Sequence, residues 1–195
     1  MLRPNHGLNV SRGHRMTMSE STHVRFQRLL EPIHDRAVVF ARAVCRSRAD
    51  GDDLFQEAVL RALDKLPALR DDGAFRFWLY RVIISVHRNR YKRAFWRRLI
   101  PMDTEPAAPE STAEVGGAER MRLALADLPH DQREALVLFE LEGWKVEELA
   151  ELLGISVSAV KSRLVRGRER LRTIYTRKFG IEAAPRTSLP IGETR

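Results

Sequence analysis

Glu147-Glu148-Leu149-Ala150-Glu151-Leu152-Leu153-Gly154-Ile155-Ser156-Val157-Ser158-Ala159-Val160-Lys161-Ser162-Arg163-Leu164-Val165-Arg166 holds two helical apolar stripes separated by a glycine turn. Its first half is a short helix with Leu149 and Leu152 on one face, and Ala150 is small enough for a following helix to pack close. Gly154, four residues after Ala150, takes the positive backbone angle of a tight turn. Ser156 has the side chain to cap the next helix, whose Val157, Val160, Leu164 and Leu171 face inward. The pattern is a helix-turn-helix. Ser158, Lys161, Ser162, Arg163, Val165 and Arg166 lie outward near the N-terminal end of its second helix, the part of a recognition helix that enters a DNA major groove.

Upstream of this motif, Leu128-Pro129 opens another helix, which Gly143 ends, and Asp131 with Glu134 has the spacing of a capping box. Lys145 stands at the start of the helix from Val146 to Leu153 without an acceptor side chain, a defect worth on the order of 1 kcal/mol of local stability. Beyond the motif, basic residues continue through Arg168, Arg170 and Arg172, opposed only by Glu169.

From Phe26 to about Arg98 apolar residues again recur at three and four, and no strand-like alternation occurs. The most informative helix runs from Asp52 to about Leu66. Its stripe of Leu54, Phe55, Ala58, Val59, Ala62, Leu63 and Leu66 is spaced for one buried face, which leaves Asp53, Gln56, Glu57, Leu60 and Asp64 on the other. An exposed Leu among carboxylates and amides suits a protein partner better than phosphates, which would repel the acids. After the loop Pro67 to Ala74 a helix begins near Phe75, with Phe75, Leu79, Val82 and Val86 inward and Trp78 beside them. Arg76, Tyr80, Arg81, His87, Arg88, Arg90, Tyr91 and Lys92 are assigned to its polar face. Rings that stack on unpaired bases, mixed with guanidinium groups that hold the backbone, fit melted or single-stranded nucleic acid better than intact duplex.

The chain has 195 residues, 44% of them apolar, and a net charge of +8. That supports two small helical domains, and the blocking of charge into two basic clusters points to nucleic acid touched at two places. The predicted organisation is a disordered N-terminal extension over 1–22, a helical domain over 23–98, a linker over 99–117, a second helical domain over 118–179 and a disordered tail over 180–195. The linker is flexible and acidic: it carries Pro101, Pro106, Pro109, Gly116 and Gly117 with Asp103, Glu105, Glu110 and Glu114. One cysteine, Cys45, excludes an internal disulfide and a multi-cysteine metal site. No apolar run is long enough for a membrane span or a signal peptide, so the expected location is the cytoplasm. Nothing in the sequence calls for a cofactor or metal. A nuclease or recombinase would need converging carboxylates or a nucleophile beside cations, whereas Asp52, Asp53 and Glu57 share a single helix.

In combination these motifs resemble the extracytoplasmic-function branch of the sigma-70 family. Asp52-Asp53-Leu54-Phe55-Gln56-Glu57-Ala58 is similar to the family's polymerase-docking helix, and Phe75 to Arg81 resembles the promoter-melting segment that follows. Leu128 to Glu134 resembles the opening of region 4, and Glu147 to Gly154 with Val160 to Leu164 its helix-turn-helix. The resemblance implies an all-α, non-enzymatic initiation factor that binds core RNA polymerase and promoter DNA and is held by an anti-sigma factor. It assigns Asp53, Gln56, Glu57 and Leu60 to polymerase. Arg76, Tyr80, Arg81, Ser85, Arg88, Asn89 and Lys92 would contact the minus-ten element, with an extruded base in the 67–74 loop. Ser158, Lys161, Ser162, Arg163 and Arg166 would read the minus-thirty-five element. Ser85 and Asn89 replace the Asn and Asp frequent in the family, and Lys145 its usual Ser or Thr cap. The rival is a helix-turn-helix regulator acting without polymerase, which would leave the first domain unexplained.

Overall fold

The computed structural model describes residues 13–99 and 116–180, and side-chain surroundings within 22–94 and 116–180. Every regular element among them is helical. The first group comprises α1 (Gly13–Leu30), α2 (His34–Val44), α3 (Arg48–Lys65) and α4 (Phe75–Leu99), and the second α5 (Gly117–Ala126), α6 (His130–Glu140), α7 (Val146–Leu153) and α8 (Val157–Phe179). The predicted linker and tail fall almost wholly outside the described residues. The predicted lead is shorter than its composition suggests, because α1 begins at Gly13.

Helix α3 starts earlier than the predicted Asp52. Ser47 caps it, its hydroxyl accepting from the Asp50 amide at 3.0 Å, which supplies an orphan donor of the first turn. Leu54, Phe55, Ala58, Ala62 and Leu66 of the predicted stripe are buried. Helix α2 crosses α3 where Gly51 has no side chain: a Cβ there would sit 2.5 Å from the Arg42 Cα, so no larger residue fits. Below this crossing Phe40, Leu54, Leu79, Tyr80 and Ile83 fill the core. Cys45 is part of that packing, and burial pushes its thiol up to about 12, so it stays protonated and inert at neutral pH.

The helix-turn-helix forms from local signals. Gly154 has φ 66°, in the left-handed region, and Ser156 caps α8 by accepting from the Ala159 amide at 3.2 Å. Lysine has no acceptor, so at α7 only the reciprocal half of a box forms, the Lys145 amide donating to Glu148 at 2.8 Å. Val160 and Leu164 are buried as the stripe requires, whereas Val157 is exposed at the helix start.

The groups are not independent. Their buried residues form one continuous cluster, and the turn between α6 and α7 seats Trp144 against Phe77 and Tyr80 of α4, with ring centroids 5.9 and 5.4 Å away.

Candidate nucleic-acid interface

On α3, Asp53, Gln56 and Leu60 are exposed on the side opposite the core, and Leu60 retains 68% of its accessible surface. Glu57 differs from its predicted companions. It is half-buried and accepts from Arg90 of α4 at 2.6 Å, which ties α3 to α4, and from Arg61 of its own helix at 2.5 Å.

On α4, Arg81, Ser85, Asn89 and Lys92 are exposed, as the helical period places them. Tyr80 and His87 are not: the period put both on the polar face, and the structure buries them, Tyr80 completely. The reason is that α4 is covered on two sides, by α3 and by the second group. Tyr80 donates its hydroxyl to Glu142 Oε2 at 2.5 Å, and burial together with that bond pushes its phenol far above the usual range. Tyr80 is therefore a packing and seam residue, not a surface-stacking ring. Arg76 donates to the Glu142 carbonyl at 2.9 Å and lies over the Trp144 ring at 4.1 Å. Arg36 of α2 donates to the same carbonyl at 3.2 Å.

A second polar knot lies farther along α4. Glu134 is fully buried and accepts from His87 Nδ1 at 2.8 Å and Arg88 Nε at 3.2 Å, and Arg88 also donates to the Leu153 carbonyl at 3.0 Å. Burial alone would raise the Glu134 carboxyl, but the His87 bond and the nearby Arg88 charge hold it below the ordinary carboxylate range. The expected box between Asp131 and Glu134 is accordingly absent. No side chain caps α6, and Asp131 instead meets Arg163 of α8 at 3.4 Å.

Along α8, Ser158, Lys161, Ser162 and Arg166 are exposed in one patch at the N-terminal half, while Arg163 is half-buried beside Asp131. The Arg166 Nε donates only to the Ser162 carbonyl of its own helix, at 3.3 Å. Sequence reasoning assigned Glu134 to a helix cap rather than to this knot, and it missed Glu142 and Trp144. The one available signal was an acid followed by Gly143 and a large aromatic immediately before the motif, a combination that an exposed turn does not require.

Comparison with known proteins agrees with this geometry. Residues 29–97 match the family model described as Sigma-70 region 2, and 118–171 the one described as Sigma-70, region 4. The chain is 32% identical over 146 residues to the ECF RNA polymerase sigma factor SigM of Mycobacterium tuberculosis, covering 75% of this chain and 74% of that one. It is 33% identical over 147 residues to the ECF RNA polymerase sigma-E factor of Escherichia coli K12, covering 66% and 76%. In fold it is similar to the sigma factor RpoE solved with the anti-sigma factor NepR from Bartonella quintana, at TM-score 0.60, 23% identity and coverage of 76% of this chain and 95% of that one. With regions 2 and 4 in order, the helix-turn-helix in the second, and ECF sigma factors matched over about three quarters of their own length at 32–33% identity, the chain belongs to the extracytoplasmic-function branch of the sigma-70 family.

Proposed function

We propose that this sigma-70 family member directs promoter-specific transcription initiation through a division of labour between its two groups of helices. Asp53, Gln56 and Leu60 dock on core RNA polymerase, with Glu57 positioning α4 behind them. Arg81, Ser85, Asn89 and Lys92 meet the minus-ten region, and Ser158, Lys161, Ser162 and Arg166 meet the minus-thirty-five element, with Arg163 at the edge. Arg76 and Arg88 join the minus-ten contacts only when the seam between the groups opens, because both are engaged there. The work is physical, without bond chemistry or a cofactor. Polymerase holds two weak DNA surfaces at a fixed separation, so their effective concentrations combine, and extruding a base costs a few kcal/mol that stacking and phosphate contacts offset. An anti-sigma factor is the fitting regulator, since a solved relative carries one, and the cytoplasm is the fitting site of action. No described helix is long and apolar enough to cross a membrane.

The observation that carries this reading is Leu60, 68% exposed between Asp53 and Gln56 on the face that the core does not use. An apolar anchor ringed by acid and amide is built for a protein surface. The test is the double variant Asp53→Lys with Leu60→Ala. Its circular dichroism should match wild type while its affinity for core polymerase falls at least about tenfold, roughly 1.4 kcal/mol. A folded variant that binds polymerase like wild type removes α3 as the docking element. Tight footprinting of palindromic duplex by the protein alone would favour the polymerase-independent regulator instead.

A further inference from the structure

Where the two groups meet, a cleft of about 450 Å³ opens between the end of α2, the outer face of α4, the turn before α6 and the second half of α8. Four guanidinium side chains line it, those of Arg46, Arg133, Arg170 and Arg177. Among the described residues none of the four has a carboxylate within ion-pair distance. The one acidic residue on the wall, Asp127, is paired with Lys178 at 3.1 Å.

Arg133 is the decisive member. It is only 4% exposed, yet its Nε and Nη1 meet no acceptor, and its Nη2 reaches just the Leu128 carbonyl at 3.4 Å. A buried guanidinium without a carboxylate in ion-pair contact and with most of its N–H groups unbonded carries a desolvation cost of several kcal/mol. Burial and the nearby Arg46 charge pull its titration downward, and the smaller upward pull of Glu134 does not offset them. Next to it the buried Nδ1 of His130 is also without a partner, and the N-terminus of α6 opens on the same wall with no side-chain cap. A fork of donors, a converging ring of positive charge and an uncapped helix start are together the chemistry of an oxyanion site.

We propose that this cleft binds a small polyanion of the phosphate class, held by Arg133 and His130 from α6, by Arg170 and Arg177 from α8, and by Arg46 from the end of α2. The volume falls in the range of small-molecule sites, roughly 300–1,000 Å³, and is larger than a single orthophosphate needs. A linear polyphosphate, inorganic or carried on a nucleotide, matches both the size and the number of cations. Because Arg46 belongs to the first group of helices and the other cations to the second, the ligand binds fully only when the groups are docked. By mass action it then stabilises the docked form, in which Arg76 and Arg88 are engaged at the seam.

The experiment is calorimetric titration of the full chain with sodium tripolyphosphate and with ATP, at matched ionic strength and with sodium sulfate as reference. One saturable site is expected, tighter for the polyphosphates than for sulfate. Equal affinity for tripolyphosphate and ATP identifies the phosphate chain as what is recognised, and tighter ATP binding identifies a nucleotide. Both support the proposal. Arg170→Ala with Arg177→Ala, at exposed positions, should keep the wild-type circular dichroism and weaken binding at least tenfold. Arg133→Lys, which keeps the charge but loses the fork, should weaken it severalfold. Lys161→Ala with Arg166→Ala should leave it unchanged. The proposal is overturned if binding does not saturate, if it survives Arg170→Ala with Arg177→Ala, or if Lys161→Ala with Arg166→Ala weakens it equally. It is also overturned if affinity for short duplex DNA falls in Arg170→Ala with Arg177→Ala as far as affinity for tripolyphosphate, since the cleft would then be part of the DNA surface.

Discussion

Helices α4 and α8 carry similar residues to different ends. Each is long, has an apolar stripe and bears a run of basic side chains on its outer face. In α4 the Arg76, Arg88 and Arg90 guanidinium groups meet the Glu142 carbonyl at 2.9 Å, Glu134 at 3.2 Å and Glu57 at 2.6 Å. In the N-terminal half of α8, Lys161 and Arg166 stay exposed with no acidic partner among the described residues. Basic density therefore does not measure availability to DNA. A guanidinium already facing an acceptor must exchange that partner for a phosphate, whereas an exposed one exchanges only water. The two helices thus represent a surface that must be uncovered and a surface that is always presented.

The sharpest way to break this contrast is Glu134→Ala. It leaves His87 and Arg88 at the seam without their shared carboxylate, Arg88 keeping only the Leu153 carbonyl, and we expect docking of the two groups to weaken by about 3 kcal/mol, read as a larger radius of gyration in small-angle X-ray scattering. An unchanged radius would mean that α4 is not restrained by this pair. Acid should loosen the same seam. Burial depresses His130, so its docked form favours the neutral ring, and that contribution is lost as pH falls below the ordinary histidine value of about 6.5. Glu134 is held low in the docked state, so its contribution is present above the ordinary Glu value of about 4.3 and is lost as pH falls through and below it. The radius should rise in that order of pH, and a radius that falls or stays flat between pH 7 and 4 would contradict the assignment.

On the presented surface, Lys161→Ala or Arg166→Ala should weaken use of the upstream element by roughly 1–3 kcal/mol where the side chain reads a base. A phosphate contact would instead give a smaller loss and lower the salt slope by about one unit. Transcription from promoters with and without that element, repeated over a salt series, separates these outcomes. If neither variant has an effect, α8 is not the reading helix. Tyr80→Phe is expected to have a smaller effect, about 1.5 kcal/mol, since it deletes one hydrogen bond to a charged group that Arg36 also approaches. Its signature is a lower melting temperature with unaltered DNA stacking, which distinguishes a buried seam residue from a base-contacting one. Smallest of all, Lys145→Ser should raise stability by up to about 1 kcal/mol by supplying the missing acceptor at the start of α7, visible as a modest rise in melting temperature.

Legibility in the sequence followed the range of the interaction responsible. The turn at Gly154, the cap at Ser156, the exposed Lys161 and Arg166, and the α3 stripe with Leu60 opposite it all depend on residues within a few positions of one another. A helical period of 3.6 residues or a single backbone angle suffices to place them. Those features the sequence determined by itself, together with the all-helical class. Periodicity assigns a residue to a face but cannot say what covers that face. Tyr80 and His87 lie on the side of α4 that the period calls polar, and they are buried because the 141–145 turn and α6, whose contacting residues are 62 and 47 positions away, cover them. Glu134 had the spacing of a cap and became a buried acceptor for the same reason. Only the tertiary structure decided which basic residues are free and which are engaged, because desolvation and ion pairing at a seam depend on what both sides bring to it, and neither helix encodes its partner in its own period.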